Sequence, residues 1–162
     1  MTFRITDTVA GSQAIADNST TQKHPLGTIV RAKDETYGEG EFIYLKGVAS
    51  TTVGALVTYN VSHQTALGTS AVGVSNPFAV AMSACVASEY GWYQISGLAI
   101  GSTAGSVSFA ATAPFAVASG EMIAATTTNR LAGGVVAVAN PSTTTLLTVQ
   151  IMIDRPAGPS SD

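Results

Sequence analysis

The sequence predicts an all-β domain, a compact β-sandwich or small β-barrel with an extended N-terminal arm. Three observations predict it. Short runs rich in Val, Ile, Thr, Tyr and Phe recur between clusters of Gly, Pro, Asn and Ser. No segment sustains the 3.6-residue apolar period of an amphipathic helix. Only 10% of the 162 residues are charged, against about 25% in an average soluble domain.

The missing charge is concentrated. Between Lys46 and Asp154 the only formally charged side chains are Glu89, Glu121 and Arg130. A free monomer needs surface charge to stay in solution. Faces made of hydroxyls, backbone and methyl groups instead suit a chain covered by neighbours, so residues 47–153 are expected to be core or to face other subunits.

Along the chain, residues 1–25 are polar and end in Asn18-Ser19-Thr20-Thr21-Gln22-Lys23-His24-Pro25, with no clear periodicity beyond Phe3-Arg4-Ile5. They read as an arm, mobile alone and ordered on a partner. Residues 26–155 form the β-rich domain, with strands expected at 28–33, 41–48, 56–59, 79–82, 91–100, 134–138 and 146–153. In the second of these, Phe42 and Tyr44 alternate with Ile43 and Leu45, so one face is aromatic, the other aliphatic, and both are covered. In the fifth, Tyr93 and Ile95 share one face while Trp92, Gln94, Ser96 and Leu98 share the other. The last strand alternates Leu147, Val149, Ile151 and Ile153 against Thr148, Gln150, Met152 and Asp154.

Gly38-Glu39-Gly40 and Asn140-Pro141-Ser142 read as turns. Residues 110–118, Ala-rich and broken by Pro114, leave room for one short helix or a turn. The Pro/Gly/Ser-rich residues 156–162 read as a flexible tail.

The chemistry-bearing residues are few. His24 and His63 lie in polar loop contexts, and no G-x-S-x-G elbow accompanies them. One cysteine, Cys85, sits in an apolar run and reads as a buried small hydrophobe. Asp34, Glu35, Glu39 and Glu41 have no recognisable calcium-loop spacing. No catalytic residue, metal site or cofactor is therefore assigned. The net charge of −3, with basic residues scattered, gives no nucleic-acid footprint. No run of 18 residues is continuously apolar and no basic-then-apolar leader opens the chain, so neither a membrane span nor secretion is expected. Trp92 and Tyr93 read as core anchors, or else as an exposed stacking platform.

Four segments in order carry a family likeness: Glu41-Phe42-Ile43-Tyr44-Leu45-Lys46-Gly47-Val48-Ala49-Ser50, Val53-Gly54-Ala55-Leu56-Val57-Thr58-Tyr59, Ala79-Val80-Ala81-Met82-Ser83 and Glu89-Tyr90-Gly91-Trp92-Tyr93-Gln94-Ile95-Ser96-Gly97-Leu98-Ala99. Over about residues 40–100 the chain resembles the small capsid decoration (cement) proteins of tailed bacteriophages. The resemblance implies a non-enzymatic virion protein, made in the bacterial cytoplasm and bound to the outer surface of the capsid. There it would clamp neighbouring major capsid protein subunits, often as homotrimers at three-fold or quasi-three-fold positions. The residues expected to touch the capsid are Thr2, Phe3, Arg4 and Ile5, adding a short strand to a capsid edge. The alternative is a head fibre or spike module that binds a receptor or glycan through Trp92 and Tyr93.

Overall fold

A computed structural model describes residues 3–6, 13–70, 76–105, 107–139 and 148–157. Among them are twelve strands and no helix: β1 (Arg4–Ile5), β2 (Asn18–Ser19), β3 (Ile29–Asp34), β4 (Gly38–Lys46), β5 (Leu56–Tyr59), β6 (Thr65–Leu67), β7 (Phe78–Ala81), β8 (Tyr90–Ser102), β9 (Phe115–Ala118), β10 (Glu121–Ala124), β11 (Ala132–Val136) and β12 (Thr148–Ala157). The domain is all-β, and each of the seven expected strands is present, 56–59 with its bounds unchanged and the others with at least one end shifted by a few residues.

Strand β8 is the spine. On one edge it pairs with β4, from Lys46↔Tyr90 to Gly40↔Gly97. On the other it takes three partners in succession: β2 at 90–91, β7 at 93–94 and β12 at 96–102. The sheet continues outward as β4-β3-β1 and as β7-β5-β6, with β11 beside β12. All these strand pairings are antiparallel.

The β4-β8-β7-β5-β6 half curls until its margins meet. Lys46 and Gln64 form a parallel bridge. The Lys46 N–H donates to the His63 carbonyl at 3.0 Å, and the Thr65 hydroxyl donates to the Lys46 carbonyl at 3.0 Å. This closure makes a small barrel. Its interior is Ile43, Leu45, Tyr93 and Ile95 packed with Ala55, Val57, Ala79, Ala81 and Cys85. Alanines from β7 and the 54–57 stretch leave room for the large residues of β4 and β8, so the tube is filled rather than open.

Two further cores lie outside the barrel wall. Phe42, Tyr44 and Trp92 on the opposite face of β4 and β8 pack with Val30, Ala32, Phe3 and Ile15. The aromatic–aliphatic split expected for β4 is thus real, and both faces are buried. The second core joins Leu56, Phe78 and Val80, from the outside of β5 and β7, to Ala99, Val149, Ile151 and Ile153. The β9–β10 hairpin covers it with Phe115, Val117 and Met122. Ser119 and Gly120, at φ 51° and 82°, form the two-residue turn of that hairpin. Its tip is pinned where Gly120 donates to the Gly68 carbonyl and Leu56 donates to the Gly120 carbonyl.

Several expectations are corrected. Residues 115–118 are strand β9, not helix, because Phe115 and Val117 are needed in the core. The first hairpin turns at Glu35-Thr36-Tyr37 rather than at Gly38-Glu39-Gly40. Asp34 Oδ1 accepts the N–H groups of Thr36 and Tyr37, and Gly38 takes φ +73° as β4 begins. The simple alternation expected in β8 breaks between Gln94 and Ser96. Phe42 pairs with Gln94 and Glu41 with Ser96, so Ile95 is an extra residue, a β-bulge. Ser96 and Leu98 consequently face away from the side that Trp92 and Gln94 occupy. Strand β12 runs through Pro156 to Ala157, and Pro156 is buried. The turn expected at 140–142 lies outside the described residues.

Candidate functional site

The residues expected to meet a partner belong to β1. Arg4 pairs with Lys33 and Ile5 with Ala32, and Thr6 donates through both its N–H and its hydroxyl to the Arg31 carbonyl. Phe3 is 7% exposed and meets Phe42 edge-to-face at 4.9 Å. The strand addition expected at a capsid edge is thus made to this chain's own β3. Thr2 lies outside the described residues.

Among the described residues no strand pairs with the other side of β1. In an antiparallel ladder the residues between hydrogen-bonded pairs point their N–H and C=O outward. Thr6 donates toward β3, so the N–H and C=O of Ile5 face the open side. A groove of about 630 Å³ lies beside this edge, lined by Arg4, Thr6, Lys33, Asp34, Glu35 and Thr36. The arrangement offers two backbone hydrogen bonds and side chains of both signs to an extended segment.

What holds residues 13–24 in place is a polar knot centred on Gln13. Its N–H donates to His24 Nε2 at 3.3 Å, and its carbonyl accepts from Trp92 Nε1 at 3.0 Å. The side-chain amide donates to the carbonyls of Asp17 and Tyr90, and its oxygen accepts from the Tyr44 hydroxyl at 3.0 Å. Tyr44 OH in turn accepts the Lys23 N–H. Burial pushes the Tyr44 phenol above its ordinary pKa, partly offset by that N–H. His24 is buried and stands 5.1 Å from the Tyr44 ring and 5.2 Å from that of Trp92. With Ile15 buried beneath them and β2 paired to β8, residues 13–24 are an integral layer of the domain. The sequence reading as a free arm missed this because no single residue signals it.

The other chemistry-bearing residues are separated. His24 spends one ring nitrogen on the Gln13 N–H, whereas His63 sits at φ 57° in a turn against Gly27. Glu41 takes both Arg31 and Arg155, at 3.5 and 2.7 Å, while Asp34 caps its turn. Glu89 accepts from the Asn18 amide and the Val86 N–H, so one of the rare charges is a clamp on β2. No cluster of three or more His, Cys, Asp or Glu suited to a metal is found among the described residues. Cys85 is buried, and desolvation raises its thiol pKa. Tyr93 is also fully buried, and desolvation holds its phenol far above the ordinary range; the hydroxyl faces Cys85 and Thr65 without closing a hydrogen bond of good geometry.

Trp92 and Tyr93 are both 0% exposed. They are core anchors, and neither presents a stacking platform.

No family model, curated protein or solved structure matches the chain.

Proposed function

We propose that this chain is a structural protein of a bacteriophage virion. It binds the outer surface of the capsid in several copies and stabilises it by clamping neighbouring major capsid protein subunits, without enzymatic activity of its own. The observation that carries the reading is the β1 edge. A two-residue strand, anchored by Phe3 in the core, presents the open backbone groups of Ile5 beside a groove of mixed charge. Such an edge accepts an extended arm from a partner by β-augmentation. The resemblance of residues 40–100 to decoration proteins supplies the class of partner, and the charge-poor faces agree with a life in contact. Each interface is modest, and symmetry multiplies it.

Replacing Ile5 by Pro tests this, because it deletes the outward N–H and leaves the β1–β3 hydrogen bonds in place; Ile5→Ala controls for packing. Heads assembled without the chain are incubated with each purified protein and pelleted. Wild type and Ile5→Ala are expected to decorate, and Ile5→Pro to fail. Equal decoration by Ile5→Pro overturns the edge, and no decoration by wild type overturns the function.

A further inference from the structure

Beyond the β1 edge, one surface of the sheet is apolar where solvent would be expected. Val135, Met152 and Leu98 stand directly opposite one another on β11, β12 and β8. Val135 is 40% and Met152 47% exposed, although Val149, Ile151 and Ile153 already supply the buried face of the same strand. A groove of about 480 Å³ runs along β11 beside this row, with Pro114, Gly133, Gly134, Val135 and Met152 among the residues lining it. Among the described residues only two charged side chains line it, Arg130 and Asp154, one of each sign. Neither makes an ion pair with a described residue, since Glu41 takes Arg31 and Arg155.

We propose that this face is a contact between two copies of this chain. The charges select the occupant. A groove bearing one cation and one anion is complementary to itself when turned about a two-fold axis, so that each Arg130 meets the other copy's Asp154. The apolar row then closes on its own image. An anionic lipid surface would call for an excess of basic residues, and here the two charges cancel. A partner's strand added to the edge of β11 is excluded, because that edge is occupied. Leu131 donates to the Phe115 carbonyl, Thr112 to the Val136 carbonyl, and Val136 to the Ala113 carbonyl. The contact is therefore made face to face, through side chains. This inference deepens the assembly reading by naming one of its partners, and it is measurable in the free protein without any capsid.

Sedimentation velocity over concentrations up to about 100 µM reads the association directly. Wild type is expected to shift from monomer to dimer. Met152→Glu and Val135→Glu should both stay monomeric, with unchanged circular dichroism. Arg130→Asp and Asp154→Arg should each weaken the dimer about tenfold or more, and combining them should restore it. A wild type monomeric throughout, association unaffected by both glutamates, or a double swap that fails to recover overturns the proposal. Heads decorated by a monomer would remove this contact and leave the capsid reading standing; a dimer that ignores heads would do the reverse.

Discussion

Trp92 Nε1 donates to the carbonyl oxygen of Gln13 at 3.0 Å, joining residues 79 positions apart. The bond satisfies the one polar atom of the largest side chain in the core. It also fixes residues 13–24 over the aromatic face of β4 and β8.

Replacing Gln13 by Ala should therefore destabilise the domain by about 1–3 kcal/mol, since the Tyr44 hydroxyl is left without its acceptor. The backbone bond to Trp92 survives, so the emission maximum of this single tryptophan should stay blue while the denaturation midpoint falls. Deleting residues 1–23 is a harsher change. It removes Phe3 and Ile15, each contributing on the order of 2 kcal/mol by burial. Red-shifted emission and loss of cooperative unfolding are expected. A truncated chain that melts like wild type would show that the N-terminal layer is dispensable.

Two glycines separate backbone conformation from crowding. Gly38 has φ +73°, and a methyl group added there would have nothing within 4 Å. Gly97 has φ +103°, and a methyl group there would lie 2.5 Å from the Glu39 carbonyl oxygen. Gly38→Ala should cost about 1–2 kcal/mol, the usual left-handed penalty. Gly97→Ala must also part β4 from β8, so it should cost clearly more. Equal melting temperatures for the two variants would remove the bulge as a constraint.

Alkaline pH should unfold the protein through Tyr93. Its phenol is held neutral by burial, so its folded pKa lies above the unfolded one. The sign follows: the associated stability is fully present below about pH 10 and is lost as pH rises beyond it. Absorbance at 295 nm should show Tyr93 ionising only together with unfolding, and Tyr93→Phe should move that transition to higher pH. Because the hydroxyl closes no good hydrogen bond, the same variant should lose little stability at neutral pH. A phenol that titrates freely in the folded protein would contradict the packing of the barrel.

The Arg31–Glu41–Arg155 cluster looks stronger than it should prove. Both arginine side chains are largely exposed, at 71% and 59%. Glu41→Gln should cost less than about 1 kcal/mol, and less still in high salt. A loss of several kcal/mol in urea titration would mean that the cluster is far less screened than its exposure implies.

How much of this was legible in the sequence depends on which force decided each element. Where burial on a regular strand decides, the pattern was readable. Val149, Ile151 and Ile153 turn inward as their alternation requires, and Phe42 and Tyr44 separate from Ile43 and Leu45 onto different cores. The β8 bulge was not readable, because an inserted residue inverts the alternation without changing composition. Its support is the Gln94 amide, which donates to the Ser96 and Leu98 carbonyls, a role no periodicity encodes. The N-terminal layer escaped for a related reason: its anchors are hydrogen bonds to residues far along the chain. Phe3-Arg4-Ile5 did stand out as strand-like, but the sequence held no sign that β3 would be its partner. Strand β9 was obscured by alanines and Pro114, which look alike in a loop, a short helix and a strand buried on both faces.

Because β8 is shared by every core, the order in which the chain emerges from the ribosome matters. The aromatic core lacks its Trp92 until β8 has been made, and the second half of β8 waits for the later strand β12. Beyond the β3–β4 and β5–β6 hairpins the early segments have few local contacts to settle into, and a topology dominated by distant pairings folds slowly. Newly made chains should thus spend an interval with one edge of β4, and then the second half of β8, unpaired, in need of a chaperone or of rapid completion. Synonymous codons that slow translation between residues 102 and 148 would lengthen that interval and lower the soluble yield.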